Sequence, residues 1–210
     1  MYIETPTEKQ ILTAAAELFL EKGYRATSTT AIAKRAGCNQ ALIYYYFRSK
    51  ENLFGKVFSS KTEQIFSKIA EPFSEKQDIF STIRAIIAAY FDFLRQNERL
   101  AFFLVNELVI NEENRPMIIS EFEKNISHVG VFLQFDQLVR ESVKNGLIRP
   151  IETFDIMLNI ISLCVSTFLA KPILTSVLGI TDEASANYYY EHRKEEIMEL
   201  VVRGSRLNGK

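Results

Sequence analysis

Gln40, Ala41, Tyr44 and Tyr45 lie in the run Asn39-Gln-Ala-Leu-Ile-Tyr-Tyr-Tyr-Phe47, at spacings that bring them to one face of a helix. An amide, a small apolar group and two phenols make no nucleophile, general base or metal site. They suit a helix that lies against another surface. Such a helix fits the major groove of duplex DNA, about 12 Å wide, with its N-terminal half nearest the base edges. A second helix must hold that face in place, and Thr29 to Ala36 supplies it, joined through Gly37. The missing Cβ of Gly37 permits a sharp, left-handed turn. Ile32, Ala36, Cys38 and Ile43 provide the apolar contacts that set the interhelical angle, and Ala33 is small where the two helices approach closely.

Other chemistries find no support. Cys38 and Cys164 have no metal or redox spacing, and His128 and His192 fall on separate helices without neighbouring ligands. No Ser/His/Asp or Cys/His arrangement and no phosphate-cradling glycine-rich loop occurs, so neither an enzyme, a metal nor a cofactor is expected. The opening run MYIETPTEKQ lacks the pattern of a secretory signal. The longest uncharged run, residues 156–170, spans roughly 22 Å as a helix, short of the ~30 Å hydrocarbon core. A cytoplasmic protein with no membrane span is expected.

The elements that would position the Gln40 face are helical almost throughout. Apolar residues recur at helical spacing over 7–22 (Ile11, Leu12, Ala15, Leu18, Phe19), with Gly23 as the stop. Segments 29–36 and 40–47 follow, and a fourth helix opens at Ser49-Lys50-Glu51 and breaks near Pro72. Further helices are predicted over 78–95, 98–110, from Arg115-Pro116 to Asn145-Gly146, over 153–171 before Pro172, and from 181–183 to near Gly204. The fold class is all-α, with about nine helices. Charge divides with this plan. Residues 1–60 carry eight basic and five acidic residues, while the whole 210-residue chain has a net charge of −1, so the excess of three faces an anion at one end only.

Residues 7–55 together resemble the TetR family of bacterial transcriptional regulators. The resemblance rests on Gly23-Tyr24 after the first helix, the helix-turn-helix of 29–47, its Tyr-rich end, and the junction Phe47-Arg48-Ser49-Lys50-Glu51. It implies a DNA-binding domain over residues 1–49 and a larger helical ligand-binding and dimerisation domain over 50–210. Thr29 and Thr30 match positions that hold a DNA phosphate, consistent with the anion affinity of a helix N-terminus. Gln40 and Ala41 fall at base-facing positions, where glutamine can pair with adenine and a methyl can meet thymine. Tyr44 and Tyr45 match phosphate or groove contacts and Lys50 a phosphate-binding lysine. Leu42 departs from the small residue common there.

The resemblance further implies a small-molecule effector in the second domain, apolar or aromatic by the character of that region, which holds 14 of the 16 phenylalanines. Tyr90, Phe103, Glu107, Phe122 and Asn125 are the candidate effector contacts. Glu107 falls on an apolar face with Leu100, Phe103 and Leu104, and an inward carboxylate needs either a cationic or hydroxylated ligand or an internal partner such as Arg84, Arg95 or Arg99, the latter favoured. Asp136 and Arg140 should pair with each other. The helices near 153–171 and 182–204 should join two copies into a homodimer, with Asn159, Ser162 and Ser166 permitting close approach and Tyr189, Ile197, Leu200 and Val201 on the facing side. Such a dimer would bind a palindromic operator as a repressor released by its effector. The alternative is an activator or chromosome-organising factor of the same fold.

Overall fold

A computed structural model describes residues 5–71, 78–123 and 126–207, with side chains omitted over 121–123 and 126–129. The described residues are helical and include no strand. The helices are α1 (Pro6–Ala26), α2 (Thr29–Ala36), α3 (Gln40–Phe47), α4 (Lys50–Ala70), α5 (Ile79–Gln96), α6 (Glu98–Val105), α7 (Arg115–Glu123), α8 (Ile126–Lys144), α9 (Thr153–Leu169), α10 (Lys171–Val177) and α11 (Glu183–Ser205), with a π-helical turn at Asn106–Ile110 continuing α6. No single described helix is long and apolar enough to cross a membrane.

The chain forms two compact units, one of Met1–Gln64 with Phe102–Ile126 and the other of Ile65–Ala101 with Ser127–Lys210. This division differs from the expected boundary after residue 49. It falls inside α4 and inside α6, because the first four turns of α4 and the segment after residue 101 bury their apolar faces with α1–α3.

In the N-terminal unit, Thr5 caps α1 by accepting the Glu8 amide at 3.2 Å, and Pro6 occupies the tolerated first turn. Gly23 does not end α1 outright. It kinks the helix at φ 78°, ψ 171°, and one more turn runs to Ala26. Ile11, Leu18 and Phe19 of α1 meet Ile32, Ile43 and Phe47 in a core closed by Leu53, Phe54 and Phe58 of α4. Phe54 is its hub, edge-on to Phe19 at 5.0 Å and to Tyr24 at 4.9 Å, and tilted against Phe103 at 5.7 Å.

The C-terminal unit is built on α5, α9 and α11. Ile83, Ile87 and Phe91 of α5, Ile156, Ile160 and Phe168 of α9, and Ile197 and Val202 of α11 are buried together. Phe168 lies 5.1 Å from Phe91 and 5.5 Å from Tyr190. Ion pairs lace α11 to α5: Arg84 to Glu199, Arg95 to Glu191 at 2.7 Å, and Lys194 to Asp92 at 3.0 Å. Asp136 pairs with Arg140 at 2.6 Å as expected, and also accepts the Thr153 hydroxyl at 2.6 Å, which ties α8 to the start of α9.

Besides Gly23, Pro172 and the end of the sixth helix depart from expectation. Pro172 does not merely stop α9; it occupies the first turn of α10, where its missing N–H costs no bond. The stretch expected as one helix from residue 115 is helical on both sides of 124–125, as α7 and α8, and 124–125 lie outside the described residues. The sixth helix widens into a π turn at its end. The described residues hold eleven α-helical segments, α7 and α8 counted on either side of 124–125, where about nine helices were expected.

Phe54 is fully buried among four aromatic partners, Phe19, Tyr24, Phe58 and Phe103. Phe54→Ala should destabilise the protein by about 3–5 kcal/mol. Equilibrium urea unfolding followed by circular dichroism measures this, and a loss under about 1 kcal/mol would show that Phe54 is not the hub of this core.

Candidate nucleic-acid interface

Local capping fixes the geometry of α2 and α3. Ser28 caps α2 by accepting the Ala31 amide at 3.1 Å, and Asn39 caps α3 by accepting the Ala41 amide at 2.9 Å. Between them Gly37 adopts φ 67°, ψ 32°, and its amide returns to the Ala33 and Lys34 carbonyls. That left-handed cap is open to glycine without steric cost. Ile32 and Ala33 are buried, while Ala36 and Cys38 are half-buried at the turn.

With Ile43 and Phe47 directed inward, the outer face of α3 carries Ala41, Tyr44 and Tyr45, with Gln40 at its N-terminal edge. Tyr45 is 67 % exposed and Tyr44 47 %. Tyr46 is half-buried and supports Tyr45 edge-on at 5.0 Å. The four consecutive aromatics thus divide between surface and core. Beside this face lies the N-terminus of α2. The Thr29 and Thr30 amides have no acceptor among the described residues, as expected for the first turn of a helix. Gln40 Nε2 donates to Thr29 Oγ1 at 2.7 Å, and Tyr44 Oη lies 3.5 Å from the same oxygen.

Charged neighbours separate into two kinds. Arg35 is held by Glu17 at 3.2 Å and Glu21 at 3.4 Å, which makes it a brace between α1 and α2, while Lys34 is exposed. Lys50, at the start of α4, places its ammonium 4.0 Å above the Tyr24 ring. Partial burial lowers the Lys50 pKa, with Glu51 and Glu107 opposing that shift. The Tyr24 hydroxyl donates to Glu51 at 2.7 Å. Burial followed by the Glu51 hydrogen bond raises the phenol's pKa, and the same bond leads the causes that lower the Glu51 carboxyl's.

Residues 11–57 match the family model described as bacterial regulatory proteins, tetR family, and residues 81–201 match the tetracyclin repressor-like C-terminal domain. The chain belongs to the TetR family. It is a DNA-binding transcriptional regulator. Among relatives of this TetR-family chain is the fatty acid metabolism regulator protein of Bacillus subtilis, 28 % identical over 146 residues, which cover 69 % of this chain and 72 % of that protein. The nucleoid occlusion factor SlmA of Aliivibrio fischeri is 29 % identical over 147 residues, covering 68 % and 72 %. The transcriptional regulator FadR from Bacillus subtilis, solved in complex with stearoyl-CoA, shares the fold at a TM-score of 0.68 and 23 % identity, covering 93 % of this chain and 98 % of that one.

The expected effector contacts of this TetR-family chain fall in different places. Phe122 lies outside the described side chains and Asn125 outside the described residues. Tyr90 is 4 % exposed in the C-terminal unit, and its hydroxyl has no hydrogen-bond partner among the described residues. Phe103 is buried against Phe54 and Phe58 in the N-terminal unit.

Glu107 requires correction. It is fully buried, and none of Arg84, Arg95 or Arg99 is its partner. Oε1 accepts the Tyr24 amide at 3.0 Å and Asn106 Nδ2 at 2.9 Å; Oε2 accepts Asn111 Nδ2 at 3.1 Å and Asn114 Nδ2 at 2.7 Å. These donors fill the capacity of a carboxylate, so no acceptor position remains for an effector. The spacing of Asn111 and Asn114 after Glu107 carried a helical signal for this cluster. The Tyr24 amide carried none, being backbone. Gly23 completes the fit: a Cβ there would stand 3.3 Å from both Asn106 Nδ2 and Glu107 Oε1.

Glu107→Gln keeps the shape and replaces one acceptor oxygen by a donor, leaving amides facing an NH2 group. Stability should fall by about 1–3 kcal/mol for each donor left unsatisfied. Urea unfolding of the variant checks this, and unchanged stability would show that the four donors do not depend on the carboxylate.

Proposed function

We propose that the protein is a homodimeric repressor that grips a palindromic operator through Thr29, Thr30, Gln40, Ala41, Tyr44, Tyr45 and Lys50, and lets go when an effector with a long apolar chain, of the acyl-CoA type, occupies its C-terminal helical region. The observation that carries the DNA reading is the juxtaposition of the exposed face of α3 with the bare amides at the start of α2. Amides and the partial positive charge of a helix end hold a phosphate, while the α3 face enters the groove. A regulator acting this way on chromosomal DNA works in the cytoplasm.

Support for a dimer comes from apolar side chains left uncovered in one chain. Phe154, Leu158 and Ile161 of α9 and Leu200 of α11 are exposed. The hydroxyls of Ser162 and Ser166 bond back to the Asn159 and Leu163 carbonyls of their own helix, so the small-residue stripe needs no outside partner and permits close packing. Of the residues expected on the α11 partner face, Ile197 and Val201 instead point into their own core, because α11 also packs on α5. Leu200 remains exposed, and Tyr189, three turns earlier on α11, is half-buried. Two-fold pairing would set recognition helices about 34 Å apart or more, a turn of DNA.

The acyl-chain effector is supported by the Bacillus subtilis relatives, one a fatty acid metabolism regulator and one solved with stearoyl-CoA. The covalent path from effector region to DNA-binding unit is short. The first half of α6, Glu98–Ala101, belongs to the C-terminal unit, and the helix leads directly to Glu107. A second reading, without ligand-relieved repression, is favoured by the resemblance to SlmA and to the transcriptional activator FasR of Mycolicibacterium smegmatis, 33 % identical over 96 residues.

Two measurements test these readings. A fluorescent duplex selected by the protein from a randomised library should be released by palmitoyl- or stearoyl-CoA and not by coenzyme A alone. Moving from 1:99 to 99:1 requires the effector to prefer the released form by about 5.5 kcal/mol. Retention of the duplex with every acyl-CoA would favour the activator or chromosome-organising reading. Separately, Lys50→Ala should weaken binding equally on selected and random duplexes and flatten the salt dependence by about one unit. An unchanged slope would confine Lys50 to its stacking on Tyr24.

A further inference from the structure

By position, the Thr29 hydroxyl and the Gln40 amide are separate DNA contacts, one for the backbone and one for a base. The hydrogen bond between them makes that separation physically untenable. Gln40 Nε2 has protons and no lone pair to offer, so at 2.7 Å the Thr29 oxygen must be the acceptor. Thr29 therefore keeps its own proton for another acceptor. It is 9 % exposed, and Tyr44 Oη stands 3.5 Å from the same oxygen, which restricts where that proton can turn. The Thr29 and Thr30 amides at the α2 N-terminus have no acceptor among the described residues, and a phosphate oxygen received there would be an acceptor for that proton.

The other half of the Gln40 amide is constrained by the same bond. One Nε2 proton is used on Thr29. The second proton and Oε1 remain side by side as a donor–acceptor pair, the arrangement that matches N7 and the N6 amine of adenine. Turning the amide over would place Oε1 against Thr29. The threonine would then have to donate its proton to Gln40 and would lose it for the phosphate.

We propose that Gln40 and Thr29 act as one unit, in which the amide orientation that reads an adenine is also the one that aims the Thr29 hydroxyl at the DNA backbone. Thr29 is thus a positioning residue for base choice as well as a phosphate contact. A base that demands the reversed amide is penalised twice, at its own edge and at the phosphate. The coupling rests on the DNA-binding role proposed for this surface, and goes beyond it by joining two contacts that would otherwise add independently.

The test is a double-mutant cycle on the full-length protein, using a duplex selected from a randomised library by the wild type, the same duplex with each base pair replaced in turn, and a random duplex. Gln40→Met and Thr29→Val should each weaken binding to the selected duplex on the order of tenfold. The double variant should lose little beyond the larger single loss, whereas independent contacts would multiply to roughly a hundredfold. Thr29→Val should also relax base preference at the very position relaxed by Gln40→Met, and Thr29→Ser, which retains the hydroxyl, should keep that preference. Thr29→Ala replaces Thr29→Val if melting shows that valine disturbs α2. Multiplicative losses with an unchanged base profile in the hydroxyl-free variant would overturn the coupling while leaving DNA binding intact. Failure of the wild type to enrich any sequence would overturn the DNA-binding reading and the coupling with it.

Discussion

A carboxylate sealed from water must find donors in the protein, because the cost of stripping its hydration amounts to several kcal/mol. Glu107 meets that demand with the Tyr24 amide and three asparagine side chains. Much of the N-terminal unit follows from where those donors have to stand. The Tyr24 amide can reach Oε1 only because Gly23 leaves the helical conformation and carries no Cβ to fill the gap. The π-helical turn at Asn106–Ile110 is the local widening through which α6 delivers the carboxylate and its flanking asparagine. Tyr24, so placed, spreads its ring beneath the Lys50 ammonium, fixes Glu51 and packs on Phe54. By contrast, the exposed Arg25–Glu113 pair at 3.1 Å joins the same segments and contributes little, since water screens it.

The outer face of α3 is held in place for a complementary reason. Each short helix has its own side-chain cap, Ser28 for α2 and Asn39 for α3, and the turn between them is closed by the Gly37 and Cys38 amides on Ala33 and its neighbour. Eight-residue helices are marginal alone. In this unit they are held by burial of Ile32, Ala33, Ile43 and Phe47 below and by the Arg35 brace to α1 at the side. Order on the outer face of α3 is inherited from that scaffold, with the Gln40–Thr29 bond, the approach of Tyr44 to Thr29 and the Tyr45–Tyr46 contact added to it.

The C-terminal unit commits its apolar residues in two directions. Its inner faces close a core around Phe91, Phe168 and Tyr190, and charged pairs between α5 and α11 set the register of the two helices. Phe154, Leu158 and Ile161 remain outside. The apolar character of α9 over most of its circumference, apart from the Asn159, Ser162 and Ser166 stripe, made apolar residues on more than one face expected. Which residues of α11 stay exposed was not legible. Ile197 and Leu200 share a similar apolar pattern, and only packing against α5 turns the first inward and leaves the second exposed.

What the sequence determined by itself was governed by neighbours within about a helical turn. The bounds of α2 and α3 agree with the expected 29–36 and 40–47, because caps, the Gly37 turn and helical periodicity all act over that range. The inward direction of Glu107 was legible in the same way. Its partner was not, nor was the role of Pro172 as the first turn of α10. The decisive donor to Glu107 is a backbone amide 83 residues away, and a backbone group has no residue type by which a sequence can signal it. Nor does any spacing rule connect Gln40 with Thr29, since their meeting depends on the crossing of two helices. The tertiary structure decided those pairings, because burial forces polar groups to be satisfied by whatever donor the packed chain brings within reach.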